Sequence, residues 1–227
     1  MKYKILLFDL DDTLLDFAAN EADSLKKLFS AFSIDLNDEI LKLYHSVNKQ
    51  LWTAYENGMI PLDEVLNTRF SRTMEKLGVT VDGREWEKQY QKLLGNGHQL
   101  IDGAFEVCQT LSKTHRLFVV TNGVTVTQIK RLQQAGLYNL FEGIFTSETI
   151  GYQKPKKEFF DYVTSHITDF CRKDSLIIGD SLNTDIKGGN LSGIDTCWFN
   201  KKALAKSETV KSNFTISDLL KLYSICE

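Results

Sequence analysis

Two carboxylates stand directly after a short apolar run near the beginning of the sequence. The run 4–8, KILLF, predicts a buried strand, and Asp9 and Asp11 follow it two positions apart. On a continuing strand such side chains share a face, so one carboxylate can face a substrate while the other stands beside it. Carboxylates at the end of a buried strand need a cation or several hydrogen-bond donors to remain ionised. A divalent metal ion is the simplest such partner.

Three more side chains with matching chemistry follow in the sequence. Thr121 and Asp180 stand at or just past the ends of predicted strands, and Lys154 stands just before a predicted helix. In parallel α/β sheets the carboxyl ends of the strands form the ligand crevice, so we expect these residues to converge with Asp9 on one rim. Carboxylates, a hydroxyl and an ammonium group together suit a phosphate group bridged by Mg²⁺.

The elements that must position these residues form an alternating series. Strands are predicted at 4–8, 117–121, 144–147, 175–179, 196–199 and 213–216. Helices are predicted among them at 104–113, 125–135, 156–166 and 184–191, with a last helix from Asp218. Mainly apolar strands that alternate with helices predict a parallel sheet covered on both faces.

A helical segment interrupts this series after the first strand. Apolar spacing predicts helices at 20–32, capped by Asn20, and at 38–57, 61–76 and 83–94, with no strand among them. The expected fold class is therefore α/β, with an all-α domain inserted after the first strand of a parallel sheet. Residues 1–16 and 99–227 would form the α/β core domain and residues 17–98 the helical domain, with hinges at 14–17 and 95–103.

Composition and charge restrict the function. Of 227 residues 42% are apolar, and the net charge is −3 with both signs interspersed, which argues against a nucleic acid polymer as partner. No apolar stretch approaches the ~20 residues of a membrane-spanning helix. Four cysteines without zinc-site spacing, Cys108, Cys171, Cys197 and Cys226, indicate free thiols in a reducing, cytoplasmic location. Cys108 and Cys197 are predicted core residues. The oligomeric state stays open.

Four segments resemble the motifs of the haloacid dehalogenase (HAD) superfamily of phosphohydrolases, in the family's order. The segment 9–14, DLDDTL, resembles the DxDxT motif, and 117–123, LFVVTNG, resembles the second motif, a strand that ends in Thr. Lys154, followed by Pro155, resembles the third motif, and 176–185, LIIGDSLNTD, resembles the fourth, GDSxxxD. The resemblance implies a Rossmann-like core with a helical cap of the C1 type, inserted after the first motif.

The resemblance also implies a role for each matched carboxylate. Asp9 would be the nucleophile that forms an aspartyl-phosphate intermediate. Asp11 would protonate the leaving alkoxide and then activate water. Asp9, Asp180 and the backbone carbonyl of Asp11 would bind Mg²⁺.

The remaining matched residues would hold the phosphate. Thr121 and the backbone of Asn122 would bind the phosphoryl oxygens, and Lys154 would neutralise charge on the phosphate and on the intermediate. Asp185 would act behind the metal, through water or by orienting Lys154. Taken singly, these residues suit ordinary turns and helix ends, so the prediction depends on their occurrence together.

Asp11 separates phosphate-ester hydrolysis from other chemistries of the superfamily. P-type ATPases and dehalogenases lack a carboxylate at this position, whereas phosphomutases keep it, so a phosphomutase remains an alternative. A receiver-like phosphoacceptor module would also combine acidic residues, a Thr and a Lys on a parallel α/β scaffold. The helical insertion and the late GDSxxxD motif argue against such a module.

The substrate is indicated by a weaker resemblance. The segments 44–58 and 196–200 resemble the branch of 5′-nucleotidases that act on pyrimidine nucleoside monophosphates, including noncanonical ones. Trp52 could stack on a base and Asn48 could pair with a pyrimidine edge. The helical spacing around Trp52 equally predicts the apolar core of the cap. A small phosphosugar phosphatase therefore remains open as well.

Overall fold

The computed structural model describes residues 2–205 and 207–227, and its contacts divide the chain into two compact units. One unit combines the chain up to Phe17 with His98–Glu227, and the other is Ala18–Gly97. The first unit contains the β-sheet and the second is entirely helical.

The chain begins with one strand and four helices, after which strands and helices are interspersed. They are β1 (Ile5–Phe8), α1 (Phe17–Ala31), α2 (Asp38–Glu56), α3 (Leu62–Glu75), α4 (Gly83–Leu94), α5 (Ala104–Leu111), β2 (Arg116–Thr121), α6 (Thr125–Gln134), β3 (Gly143–Thr146), α7 (Ser147–Ile150), α8 (Lys157–Ser165), β4 (Ser175–Gly179), α9 (Lys187–Ser192), β5 (Asp195–Phe199), β6 (Phe214–Ile216) and α10 (Leu222–Cys226).

The six strands form one sheet in the order β3-β2-β1-β4-β5-β6, and every neighbouring pair is parallel. The predicted α/β fold with a parallel sheet is thereby confirmed. Phe8, the last residue of β1, pairs with Val119 of β2 and with Ile178 of β4. Residues that follow these three central strands therefore lie at one edge of the sheet, where ligand crevices form in such folds.

Apolar side chains alternate between the two faces of the central strand and anchor a hydrophobic cluster on each. Leu6 and Phe8 pack on one face with residues of α5 and α10, and Ile5 and Leu7 pack on the other with residues of α8. Because helices cover both faces, the strands are mainly apolar, as expected for a parallel sheet. Cys108 and Cys197 are fully buried in the first cluster, as predicted.

The start of α1 differs from the expectation. The helix begins at Phe17, whose backbone N–H donates to the Asp12 carboxylate (3.1 Å), and this bond satisfies a free donor at the helix start. Asn20 lies inside the helix, buried, and its side-chain amide donates to the carbonyl of Leu94 (3.0 Å). The prediction that Asn20 caps this helix was wrong, because Asn20 makes a tertiary contact instead.

A second difference falls next to the predicted fourth motif. The segment predicted as a helix from 184 begins as one π-helical turn, Leu182–Ile186, before α9. Such turns are rare and are frequently found at functional sites. The turn carries Asp185, which is completely buried.

The helical unit has an apolar core and a buried ion pair. Val47, Leu51 and Tyr55 of α2 pack with Val65 of α3, as the spacing of three and four predicted. Nearby, Arg69 of α3 donates to both carboxylate oxygens of the buried Glu87 on α4 (2.6 and 2.7 Å). Within residues 2–205 and 207–227 no helix combines the length and apolar character needed to cross a membrane.

Candidate active site

Asp9 follows β1 directly and its carboxylate is buried between two donors. Its backbone N–H continues the sheet by donating to the carbonyl of Ile178 (2.8 Å). One carboxylate oxygen accepts from the Lys154 ammonium (2.7 Å) and the other from the Thr13 hydroxyl (3.2 Å). Burial raises the pKa of Asp9 above its usual value, although the Lys154 charge opposes this shift. The two donors hold the carboxylate in one orientation.

Lys154 is a buried cation with three acceptors. Its ammonium donates to Asp9 (2.7 Å), to Asp185 (2.6 Å) and to the carbonyl of Val120 (2.8 Å), which uses all three of its hydrogens. Burial alone would lower the pKa of Lys154, but the charges of Asp185 and Asp9 raise it above the usual value. The ammonium therefore stays charged at the strand edge.

The Asn122 side chain fixes the backbone that presents Lys154. It accepts from the Lys154 backbone N–H (2.9 Å) and donates to the Lys154 carbonyl (3.1 Å). These two bonds link the segment after β2 to the loop after α7. The sequence indicated a backbone role for Asn122, whereas this side-chain role became visible only in the structure.

Asp180 follows β4 and, unlike the buried carboxylates of Asp9 and Asp185, is partly exposed. Its backbone N–H donates to the Thr13 hydroxyl (3.1 Å) and its backbone carbonyl accepts from the Trp198 indole (2.8 Å). In the described part of the chain, no hydrogen bond or ion pair reaches its carboxylate. Burial, followed by the charges of Asp9 and Asp185, raises the pKa of Asp180 to about 9. Within residues 2–205 and 207–227, therefore, no cationic side chain pairs with the Asp180 carboxylate.

Asp185 lies beneath this carboxylate and orients Lys154. One oxygen accepts from the ammonium and the other from the backbone N–H of Ser181 (3.1 Å). A Cβ on Gly179 would lie 2.3 Å from the Asp185 carboxylate, so the glycine of the GDSxxxD segment makes room for it. The side chain of Asp185 is therefore committed to protein contacts.

The carboxylates fit a magnesium ion. Oxygens of Asp9, Asp180 and Asp185 lie within 4.8 Å of one another. Mg²⁺ prefers hard oxygen ligands, and Asp180 offers a carboxylate with no protein donor among the described residues. Both oxygens of Asp185 and both oxygens of Asp9 accept hydrogen bonds from the protein, so Asp180 is the carboxylate of the three that is left for the ion. The contact of Asp9 with the ion stays a prediction.

The Asp11 carboxylate is held by two side chains of α6. Gln128 donates to one oxygen (2.7 Å) and Arg131 donates to the other. The Gln128 amide also donates to the Thr121 hydroxyl (3.1 Å), which accepts a second bond from the Gly123 N–H (3.1 Å). Neither α6 residue was identified from the sequence, although residues three apart on a helix after the second motif share one face.

Seven predicted site residues are thus brought to one edge of the sheet: Asp9, Asp11, Thr121, Asn122, Lys154, Asp180 and Asp185. The two predicted substrate contacts belong to the helical unit. There the Asn48 carbonyl oxygen accepts from Arg69 (3.4 Å), and Trp52 packs partly buried with its ring centroid 5.8 Å from that of Tyr55. Their binding roles stay predictions.

The raised pKa of Asp180 predicts how pH and Mg²⁺ affect stability. Between the usual value of 3.8 and about 9, the folded protein keeps a proton that the unfolded chain has lost, so Asp180 lowers stability as pH rises. In EDTA, we expect the Tm of wild type to fall relative to that of Asp180→Asn between about pH 5 and about pH 9. Mg²⁺ should raise the wild-type Tm most at the upper end of this pH range.

Differential scanning calorimetry of both proteins at several pH values, with EDTA or Mg²⁺, checks this expectation. Asp102→Asn, which changes an exposed carboxylate, is the matched control and should behave as wild type. A pH dependence identical in wild type and Asp180→Asn would contradict the expectation.

A match in sequence adds to the evidence from the parallel sheet, the carboxylates at its edge and the helical unit. The chain belongs to the haloacid dehalogenase-like hydrolase family, whose sequence profile matches residues 6–199. The predicted family membership is thereby confirmed.

Several relatives resemble the chain over nearly its whole length. It is 46% identical to YfnB of Bacillus subtilis, provisionally named a HAD-hydrolase, over 99% of this chain and 95% of that protein. It is 37% identical to the pyrimidine 5′-nucleotidase PynA of Streptococcus pneumoniae, over 95% and 92%. A crystal structure of Bacillus subtilis YfnB bound to magnesium covers 100% of both chains with 45% identity and a TM-score of 0.94.

A third relative has the same described activity as PynA. The chain is 29% identical to the pyrimidine 5′-nucleotidase YjjG of Escherichia coli, over 98% of this chain and 97% of that protein.

Proposed function

We propose that this chain is a Mg²⁺-dependent phosphatase that hydrolyses pyrimidine nucleoside 5′-monophosphates, including noncanonical ones, through an aspartyl-phosphate on Asp9. The observation that carries the proposal is the pairing of Asp9 with Lys154 beside the Asp180 carboxylate, which has no protein cation of its own among the described residues. A phosphate ester would meet a nucleophilic oxygen, the positive charge of an ammonium group and a place for a divalent ion at once.

In the first step, a carboxylate oxygen of Asp9 attacks phosphorus. The bond between phosphorus and the ester oxygen breaks, and its electron pair leaves with the nucleoside alkoxide. The Asp11 carboxyl group gives its proton to this alkoxide, so the nucleoside departs neutral. Lys154 neutralises charge that develops on the phosphoryl oxygens, and Thr121 and the Asn122 backbone bind them.

In the second step, a water molecule attacks phosphorus of the aspartyl-phosphate. Asp11, which gave up its proton in the first step, takes a proton from this water. The bond between phosphorus and Asp9 then breaks, which regenerates the carboxylate and releases inorganic phosphate. Bound Mg²⁺, held by Asp9, Asp180 and the backbone carbonyl of Asp11, would supply charge neutralisation in both steps.

The pyrimidine assignment is supported by the relatives and by one residue of the helical unit. Two relatives named as pyrimidine 5′-nucleotidases match almost the whole chain. Arg69 can only donate, so the Asn48 carbonyl oxygen must face it and the Asn48 NH₂ group is turned away. An amide N–H so turned can donate to a carbonyl oxygen of a pyrimidine base. The predicted contacts of Asn48 and Trp52 with the base are part of this proposal.

A substrate panel tests the proposal. With Mg²⁺, we expect phosphate release to be fastest from dUMP, dTMP or UMP, slower from purine nucleotides and sugar phosphates, and abolished by EDTA. Asn48→Ala should lower the preference for pyrimidines about 10-fold by removing one hydrogen bond to the base. Gln50→Ala, an exposed change on the same helix, should leave it unaltered.

The measurement is kcat/KM for each ester by a phosphate-release assay. Fastest release from sugar phosphates would replace the nucleotidase assignment with a small phosphosugar phosphatase. Interconversion of phosphosugars without phosphate release would identify a phosphomutase. Stable phosphorylation of Asp9 by acetyl phosphate without turnover would point to a phosphoacceptor module.

A further inference from the structure

Three side chains form a closed triangle of hydrogen bonds beside the nucleophile. Arg131 donates from a single nitrogen to the Asp11 carboxylate and to the Gln128 carbonyl oxygen (2.9 Å). Gln128 closes the triangle by donating to the other Asp11 oxygen (2.7 Å). Arg131 and Gln128 are only 1% and 2% exposed, whereas the Asp11 side chain is 30% exposed. Two buried side chains thus hold a carboxylate that faces the open side of the site.

Gln128 also connects this triangle to the second motif. Its amide nitrogen donates to Asp11 and to the Thr121 hydroxyl (3.1 Å), so one NH₂ group links both residues. The positions of the Asp11 carboxylate and the Thr121 hydroxyl are therefore set relative to each other by two hydrogen bonds from one atom. Every polar atom of the Gln128 side chain is used in this arrangement.

Gly123 makes this placement of Gln128 possible. A Cβ on Gly123 would lie 2.2 Å from the Gln128 amide nitrogen and 2.7 Å from its side-chain carbonyl carbon. The glycine after Asn122 in the second motif therefore leaves the space that the Gln128 side chain occupies.

We propose that Arg131 and Gln128 are positioning residues for Asp11, which hold it where the leaving alkoxide of the substrate receives its proton. The proposal rests on the phosphatase function above and extends it to two residues of α6. Arg131 would act through Asp11, whereas Gln128 would act through Asp11 and through the Thr121 hydroxyl. Small displacements of a catalytic group slow the reaction strongly, so breaking this triangle should lower the rate about 10- to 100-fold.

The leaving group of the substrate distinguishes positioning from a general structural effect. A nucleoside alkoxide needs the proton from Asp11, whereas the p-nitrophenolate ion is a stable leaving group that needs it little. We expect Arg131→Met to lower kcat/KM for dUMP about 10- to 100-fold and that for p-nitrophenyl phosphate by less than about threefold. Gln128→Met also removes a hydrogen bond to Thr121, so it should lower kcat/KM for both esters, with the larger loss for dUMP. The KM for dUMP should change little, because the triangle does not bind the nucleoside.

Matched variants separate this effect from damage to the fold. Gln133→Met changes an exposed glutamine on the same helix, and Arg116→Met removes an exposed ion pair with Glu142. In both variants the ratio of kcat/KM for dUMP to that for p-nitrophenyl phosphate should equal the wild-type ratio. In an Asp11→Asn background, Arg131→Met should cause no further loss, because its effect passes through Asp11. Equal losses on both esters in Arg131→Met, or a full further loss in the Asp11→Asn background, would overturn the proposal.

A crystal structure of each variant gives a second readout that does not depend on turnover. We expect the Asp11 carboxylate to leave its present position in Arg131→Met and in Gln128→Met. An unmoved carboxylate in both would overturn the positioning role even if activity falls. Failure of the phosphatase function has a different signature, since wild type with Mg²⁺ would then release phosphate from neither ester.

Discussion

Asp9→Asn is expected to lose hydrolysis of every phosphate ester by at least about 10⁴-fold, because an amide cannot replace the carboxylate oxygen that attacks phosphorus. The substitution keeps the size of the side chain, and Thr13 can still donate to its oxygen. Circular dichroism should therefore show an intact fold. Single-turnover assays with Mg²⁺ and a labelled phosphate ester measure the loss and detect any phosphoenzyme.

The matched control is Asp102→Asn, which makes the same chemical change at an exposed position of the same unit. Its activity should equal that of wild type. Wild type should also form an acid-stable phosphoenzyme that Asp9→Asn cannot form. Near-normal turnover by Asp9→Asn would rule out Asp9 as the nucleophile, whatever the substrate is.

Lys154→Met is expected to lose both activity and stability. Without the ammonium, Asp9 and Asp185 would remain buried without their shared cation, and breaking a buried ion pair from one side costs about 3–5 kcal/mol. The free energy of unfolding from urea titration measures this loss. Adding Asp185→Asn should restore part of the stability, because it removes one of the two buried negative charges that have lost their cation. It should not restore hydrolysis.

Lys157→Met is the control for this prediction. Lys157 forms an ion pair with Asp161 (2.5 Å), in which the two side chains are 62% and 44% exposed. Such surface pairs contribute about 0.5 kcal/mol or less, so this variant should have wild-type stability and activity. A Lys154→Met protein as stable as Lys157→Met would show that Lys154 does not neutralise buried carboxylates.

The positions of the strands could be predicted because each is a short apolar run bounded by turn residues. Such runs bury both faces, which is the pattern of a parallel sheet, and the alternating helices leave few other topologies. Helix ends were less predictable. Asn20 has the side chain of a good cap, but a tertiary contact with the Leu94 carbonyl uses it, and Asp12 satisfies the helix start instead.

The candidate site was predictable wherever a residue follows a strand. Asp9, Thr121 and Asp180 could be placed together because the carboxyl ends of neighbouring parallel strands meet at one edge. Gln128 and Arg131 could not, since a buried polar residue on an amphipathic helix has no local signal that names its partner. The side-chain bonds of Asn122 to the Lys154 backbone join residues 32 positions apart and were equally invisible.

The sequence by itself therefore determined the α/β class, the inserted helical segment and the residue types of the site. The spacing of apolar residues and the residue types that follow each strand are local properties of the sequence. Only the tertiary structure decided which charges neutralise one another. Lys154 lies between Asp9 and Asp185, Arg131 pairs with Asp11, and the Asp180 carboxylate has no donor among the described residues. These pairings depend on distances of a few ångströms between distant segments, and such distances are set by how the helices pack on the sheet.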